Sequence, residues 1–300
     1  MTAALLVCDW GSTRLRAWTL DRAGEVVAHA AFALGVNHLA PGEAARRFDE
    51  EVRPSLGAHG LPALLCGAIG SNVGWRAIPY VDCPTGLEQI AAGVTPVRDD
   101  VWIVPGLRCE GLGGVCDVLR GEETKALGWL GLDPDHRRGR RLVCQPGTHP
   151  KWLAVEDGRF VRFLSAFTGE LFATLSEHSI LRNDSEAHDP AAFEAGLAAA
   201  ADGDALLNRL YTARSRVAGG GAAPESTGSY LSGLLIGAEV AATPRLLGLD
   251  GELVVLLGDK PACDRYAMAM NRRGIATSHA DGDTAVLAGL VSIARLRGLP

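Results

Sequence analysis

Apolar and polar positions alternate in short runs at the start of the chain. Residues 4–9 and 14–20 read as strands, and Asp21-Arg22-Ala23-Gly24 reads as a turn before a third strand from Glu25 to Phe32. Three strands joined by tight turns predict an antiparallel opening. A dinucleotide-binding unit would instead place a helix after the first glycine turn. The pattern then changes period. Pro41 to Leu56 reads as an amphipathic helix, Ala63 to Ile69 as a buried strand, Val101 to Gly106 as a strand and turn, and Arg120 to about Leu130 as a helix.

The opening then recurs. Leu6-Val7-Cys8-Asp9-Trp10-Gly11-Ser12-Thr13 is echoed by Leu142-Val143-Cys144-Gln145-Pro146-Gly147-Thr148-His149. Each copy is a strand and a glycine–hydroxyl turn, followed by a strand carrying Trp18 or Trp152, an acid–glycine turn and a third strand (Phe160 to Phe167 in the second copy). The copies lie a domain's length apart, which predicts a duplicated fold; chance likeness between two hairpins is the competing account. Beyond the echo, helices are expected at Gly169 to Ser179, Pro190 to Ala201, Asp204 to Val217, Ser229 to Ala242, Pro261 to Arg272 and from about Asp281 to Arg295. Strands are expected at Glu252 to Leu257 and Ile275 to His279. The helix from Ser229 is rich in small residues and suited to close packing.

Composition narrows the class. The 300 residues suffice for two domains and a sizeable core, with 47% hydrophobic and 21% charged positions. A net charge of −6 speaks against a nucleic-acid partner, and the one basic cluster, Arg137 to Arg141, reads as a solvated linker. Seven cysteines without a CxxC pair fit reduced thiols in a cytoplasmic protein. No leader or membrane span is expected.

Four stretches can carry chemistry. The turn Asp9-Trp10-Gly11-Ser12-Thr13 offers a carboxylate, two hydroxyls and backbone N–H groups, a set suited to a phosphate chain with its magnesium ion; a plain turn capped by Asp9 is the alternative. The echo at Gly147 and Thr148 offers a second phosphate turn but carries Gln145 where the first has its acid, with Lys151 as a nearby cation. Glu122 and Glu123 open a helix, where they either complement its dipole or act as a general base. The loop Gly70-Ser71-Asn72-Val73-Gly74-Trp75-Arg76 suits a polar small molecule or a core-packed turn. The chain has neither a G-x-x-x-x-G-K-[ST] nor a G-x-S-x-G sequence.

Together with Ser229–Glu239, these stretches, in this order, resemble the 2-dehydro-3-deoxygalactonokinase family of the sugar-kinase, actin and heat-shock ATPase superfamily. The resemblance implies an α/β fold of two ribonuclease-H-like (actin-like ATPase) domains, residues 1–139 and 140–300. Each would be a mixed sheet opening with antiparallel strands and flanked by helices, and the two would close on a central cleft. It implies ATP- and magnesium-dependent phosphorylation of the 6-hydroxyl of 2-dehydro-3-deoxy-D-galactonate in galactonate degradation. Asp9 would hold the metal, and Gly11, Ser12, Thr13, Gly147, Thr148 and Gly258 the nucleotide. Glu122, with Glu123 and Asp9 as rivals, would be the base. Ser71 and Asn72 would bind the sugar acid, and Arg16, Arg76, Arg120 or Lys151 its carboxylate. The expected partners are the sugar acid and ATP, with no nucleic acid or membrane; a homodimer is left open. A phosphohydrolase, a kinase for another sugar acid, or a non-catalytic sensor are the alternatives on the same fold.

Overall fold

A computed structural model of the protein describes residues 2–182, 188–200, 204–249 and 251–300. The chain opens with β1 (Leu5–Trp10), β2 (Leu15–Leu20) and β3 (Val26–Phe32), then α1 (Glu43–Arg47), a π-helical turn and α2 (Arg53–Ser55). There follow β4 (Ala63–Cys66), β5 (Val81–Asp82), α3 (Leu87–Ala92), β6 (Thr95–Arg98), β7 (Val101–Ile103), β8 (Leu107–Glu110), β9 (Cys116–Leu119) and α4 (Glu122–Leu132). The second half holds β10 (Arg140–Gln145), β11 (Lys151–Glu156), β12 (Arg159–Ser165), α5 (Thr168–His178), α6 (Pro190–Ala199), α7 (Leu206–Ala218), α8 (Thr227–Leu246), β13 (Val254–Gly258), α9 (Lys260–Asn271), β14 (Thr277–Asp281) and α10 (Gly282–Leu296).

These elements form two compact units. Unit 1 comprises residues 1–140, 155–162 and 282–300, and unit 2 comprises 141–154 and 163–281. Two sheets repeat one design. The first has the order β3-β2-β1-β4-β7-β6 and the second β12-β11-β10-β13-β14. In each, a three-strand meander is followed by parallel neighbours: β1 with β4 and β4 with β7, β10 with β13 and β13 with β14. The echo seen in the sequence is therefore an echo of topology. The pleat sorts β1 by face: Leu6, Cys8 and Trp10 enter one core with Leu15, Ala17 and Phe48, while Leu5, Val7 and Asp9 face the other way. Leu142, Cys144, Trp152, Val254 and Leu256 do the same in unit 2.

The duplication reaches further than the hairpins. Gly121 and Gly128 at the start and middle of α4 match Gly282 and Gly289 of α10. The two helices pack in unit 1 with reciprocal backbone contact. A Cβ on Gly128 would fall 1.7 Å from the Ala285 carbonyl oxygen, and one on Gly289 would fall 2.0 Å from that of Thr124. Unit 2 repeats the device between α6 and α8, where Gly196 lies under the Tyr230 carbonyl and Gly233 under that of Phe193. The small residues of α8 thus serve close packing, as its composition predicts.

Some elements depart from the pattern-based expectation. The helix expected over 41–56 runs from Glu43 to Ser55 but passes through a π-turn at Phe48–Val52, ahead of Pro54, which has no N–H to complete a regular α-turn. The basic cluster is not a linker throughout: Arg140 and Arg141 begin β10, and Arg137 donates to the Leu130 carbonyl. The small sheet β5-β8-β9 was not expected, because its strands are two to four residues long. The expected end of one helix at Ala201 lies outside the described residues. Among those residues, no helix is long and apolar enough to cross a membrane.

The glycine contact gives a direct test. Gly128→Ala and Gly289→Ala should each cost about 2–4 kcal/mol in urea unfolding, since backbone must move to admit the methyl group. Because both changes open the same seam, the double variant should lose less than the sum. Additive losses would show that the helices do not share this contact.

Candidate active site

The β1–β2 hairpin places Asp9 opposite Arg16 in register. Its turn is tied down from below: Gly11 N–H donates to the Arg14 carbonyl, and Val36 and Asn37 N–H groups donate to the carbonyls of Gly11 and Ser12. Gly35 makes this possible, since a Cβ there would lie 2.3 Å from the Ser12 oxygen. The carbonyls are thereby used, whereas no backbone carbonyl among the described residues takes the N–H of Ser12 or Thr13. Ser12 is half-buried and Thr13 exposed at the tip. The turn can present donors to an anion.

Acids gather on the face that Asp9 shares with Leu5 and Val7. Arg16 pairs through one nitrogen with Asp9 Oδ2 and through another with Asp283 in the first turn of α10. The other oxygen, Oδ1, meets the Cys66 thiol at 3.9 Å, a weak donor. Gly67 follows Cys66 at φ 95°, and a Cβ there would press on the Trp10 carbonyl at 2.7 Å. Gly121, at φ 105°, lies against Gly67, its Cβ position 3.0 Å from that residue's Cα. This close approach brings the start of α4 to the carboxyl ends of β1 and β4, where α/β sheets place their ligands.

The two glutamates of that first turn differ. Glu123 is fully buried; its carboxylate accepts the Gly121 N–H at 2.6 Å and the Thr124 hydroxyl at 2.7 Å. Burial pushes its pKa up to about 7, with the negative charge of Glu122 adding to the rise and the bonds from Thr124 and Gly121 opposing it. Glu122 is half-buried and accepts the Arg120 N–H at 3.1 Å. Burial, then the charges of Asp9 and Glu123, raise the Cys66 thiol well above its ordinary value, so it stays protonated.

Arg120 is threaded into the loop after β4. It donates through Nη2 to the Ile78 carbonyl at 2.6 Å, its guanidinium sits 4.4 Å from the Tyr80 ring centroid, and Nη1 lies against Gly70. Its Nε and Nη1, and the neighbouring Ser71 Oγ, are buried with no hydrogen-bond partner among the described residues. Asn72 and Arg76 are exposed, and Arg76 donates to the Pro96 carbonyl at 3.3 Å.

Unit 2 holds the remaining predicted residues. Gly147 and Thr148 form the turn after β10 and rest on Gly169, where a Cβ would lie 2.5 Å from the Gly147 oxygen. Lys151 is buried and donates to the His149 carbonyl at 3.0 Å, while His149 pairs with Glu170. Gly258 ends β13 near the Pro146 carbonyl, with His279 Nε2 3.1 Å from its own oxygen. Beside them opens a cavity of about 470 Å³, walled by Gly147, Thr168, Phe172, Ser232, Arg265 and Tyr266 among others, a size suited to a nucleoside.

The structure thus brings together Asp9, Arg16, Glu122, Glu123, Arg120 and Ser71 in unit 1, and Gly147, Thr148, Gly258 and Lys151 in unit 2. Sequence reasoning missed Asp283, Cys66, Gly35 and Gly67. Asp283 alone carried a signal, since it follows Gly282 as Glu122 follows Gly121.

The raised Glu123 pKa fixes the sign of a stability effect. The folded state holds this proton to higher pH than the unfolded chain, so stability falls as pH rises from about 4.5 towards 7. Glu123→Gln should remove up to about 3 kcal/mol of that decline between pH 5 and 8, read by denaturant unfolding at each pH. An unchanged pH slope would contradict the buried, proton-holding carboxyl.

The sequence matches the family profile described as 2-keto-3-deoxy-galactonokinase over residues 9–293. It is 34% identical over 296 residues to the 2-dehydro-3-deoxygalactonokinase of Escherichia coli (strain K12), covering 98% of each chain. It is also 34% identical to DgoK1 of Rhizobium meliloti (strain 1021), covering 96% of this chain and 95% of that one. A crystal structure from Sinorhizobium meliloti, assigned as a 2-dehydro-3-deoxygalactonokinase, superposes with a TM-score of 0.85 at 33% identity, covering 97% of this chain and 98% of that one. At 14% identity and a TM-score of 0.52, the activator of 2-hydroxyisocaproyl-CoA dehydratase from Clostridium difficile shares the fold, over 99% and 96% of the two chains. With the hairpins, glycine seams and acids in place along its whole length, the chain belongs to the 2-keto-3-deoxy-galactonokinase family.

Proposed function

We propose that this protein transfers the terminal phosphoryl group of ATP to the 6-hydroxyl of 2-dehydro-3-deoxy-D-galactonate. The observation that carries the reading is the convergence, in a chain of this family, of Asp9, Glu122 and Glu123 at the carboxyl ends of β1 and β4. Phosphoryl transfer asks little covalent chemistry of a protein; it asks for alignment, charge neutralisation and a proton acceptor. Glu122 is the member of the glutamate pair with solvent-accessible surface, so it takes the hydroxyl proton. Glu123, sealed behind it, holds the Gly121 turn and positions its neighbour.

A magnesium ion fits the donor set of Asp9. One oxygen is held by Arg16, and the other meets only a weak thiol donor among the described residues. Bound there through water, the ion would draw charge from the terminal phosphates. The N–H groups of Ser12 and Thr13 cradle phosphate oxygens in unit 1, and Gly147 and Thr148 do so in unit 2. The unit 2 cavity takes the nucleoside.

The four cations considered for the substrate carboxylate can now be ranked. Arg16 already bridges two carboxylates, Arg76 lies exposed on a backbone carbonyl, and Lys151 is spent on His149 in unit 2. Among the described residues, Arg120 keeps two buried N–H-bearing nitrogens without partners beside the unpartnered Ser71 hydroxyl. Such groups cost roughly 1–3 kcal/mol each unless something binds them, and a carboxylate matches their geometry.

A coupled ADP assay across sugar acids tests the reading. ADP release should require both magnesium and a 2-keto-3-deoxy sugar acid, whereas phosphate release without sugar would support a phosphohydrolase instead. Glu122→Gln should lower kcat by about 10²–10⁴-fold. Arg120→Ala should raise the KM for the sugar acid by about 10–100-fold, the worth of a charged hydrogen-bonded pair, while the KM for ATP stays within a few-fold. Equal rises in both KM values would move the carboxylate site elsewhere.

A further inference from the structure

Beside the unit 2 cavity lies a buried carboxylate that the proposed chemistry does not use. Glu239 projects from α8, a helix otherwise apolar along this stretch. It accepts the Trp152 Nε1–H through Oε1 at 2.6 Å, and through Oε2 it accepts the hydroxyls of Tyr266, at 2.7 Å, and Thr168. Both hydroxyl residues line the cavity. Burial raises the Glu239 pKa, while the bonds from Thr168, Trp152 and Tyr266, then the charge of Lys151, hold it down.

The proton count on these groups decides what the cavity wall can offer. A hydroxyl has one proton and two lone pairs. Thr168 and Tyr266 each give that proton to Glu239, so only lone pairs remain to face a ligand. Trp152, a donor only, fixes which way the carboxylate is turned.

We infer that Glu239 is a positioning residue that sets the polarity of the cavity wall: by taking the protons of Thr168 and Tyr266 it makes them an acceptor patch, which selects a ligand group that donates hydrogen bonds. Arg265 and the serine hydroxyls also line the cavity, so the acceptor character belongs to this patch alone. The inference rests on the cavity being the nucleoside site. A nucleoside triphosphate offers two such donors, the ribose hydroxyls and the exocyclic amine of adenine, and the test separates them.

Equilibrium binding of ATP to the wild-type protein is compared with 2′-deoxy-ATP, 3′-deoxy-ATP and purine riboside triphosphate, which lack one donor group each. At least one analogue should bind tenfold or more weakly, and which one identifies the group on the patch. Glu239→Gln is the sharper arm. Trp152 keeps the amide oxygen facing it, so the amide N–H₂ points at Thr168 and Tyr266 and turns their protons into the cavity. The wall becomes a donor, so the KM for ATP should rise tenfold or more. Discrimination against the chosen analogue should fall below threefold, with kcat and the KM for the sugar acid within a few-fold. Tyr266→Phe, which removes one acceptor without touching Glu239, should halve or better the same discrimination if the glutamine variant does not fold.

A wild type that binds all four nucleotides alike overturns this inference and leaves the kinase reading standing. A wild type that binds none of them overturns both. A Glu239→Gln enzyme that keeps wild-type discrimination, or loses kcat and both KM values together, reduces Glu239 to a structural group.

Discussion

Gly128 and Gly289 let two helix backbones touch, and this contact sets where the acids of unit 1 stand. A side chain at either position would strike a carbonyl oxygen about 2 Å away. Because the seam is reciprocal, α4 and α10 are held at matching points of their length, and their first turns arrive together. One brings Glu122 and Glu123, the other Asp283. Arg16 then joins Asp283 to Asp9, so the last helix of the chain governs the first acid in it. A substitution far along α10 can therefore alter the environment of Asp9 without touching it.

Charge is the next constraint. Asp9, Glu122, Glu123 and Asp283 belong to one region of unit 1, and Arg16 is the cation that pairs with two of them. Full burial of several unpaired carboxylates would be prohibitive. The structure relieves it by protonation rather than by more cations: Glu123 holds its proton to about pH 7, and Cys66 remains a neutral thiol that can donate to Asp9. A cysteine suits this place because a second carboxylate would repel and an aliphatic residue would offer Asp9 nothing.

Much of this was legible in the sequence because it is local. Period-two alternation puts Asp9 and Arg16 on one face of a hairpin whose turn length fixes their register. The echo at Gly147 gave away the duplication. The matching helices were harder to see, since Gly121 and Gly282 lie further apart in the chain than Gly11 and Gly147, so the two echoes do not share one spacing. Strands as short as β5 carry too few residues for alternation to register. The Arg16–Asp283 pair joins opposite ends of the chain, and nothing local announces it. The ranking of Arg120 over Arg16, Arg76 and Lys151 needed hydrogen-bond partners, which composition does not supply.

Each unit also buries a glutamate whose pKa burial raises, and the two differ in the groups set around the carboxyl. In unit 1 the charge of Glu122 adds to the effect of burial, so the anionic form of Glu123 meets neighbouring negative charge. A carboxyl that holds its proton near neutrality is the result, and proton traffic is cheap there. In unit 2 the charge of Lys151 opposes the effect of burial on Glu239. Glu239 also has three donors around it, from Thr168, Trp152 and Tyr266. It can therefore stay an acceptor and keep two hydroxyls turned in one sense. Neighbouring charge and donors, set differently in the two halves of a duplicated fold, give one unit a carboxyl that titrates near neutrality and the other a carboxyl held by three donors.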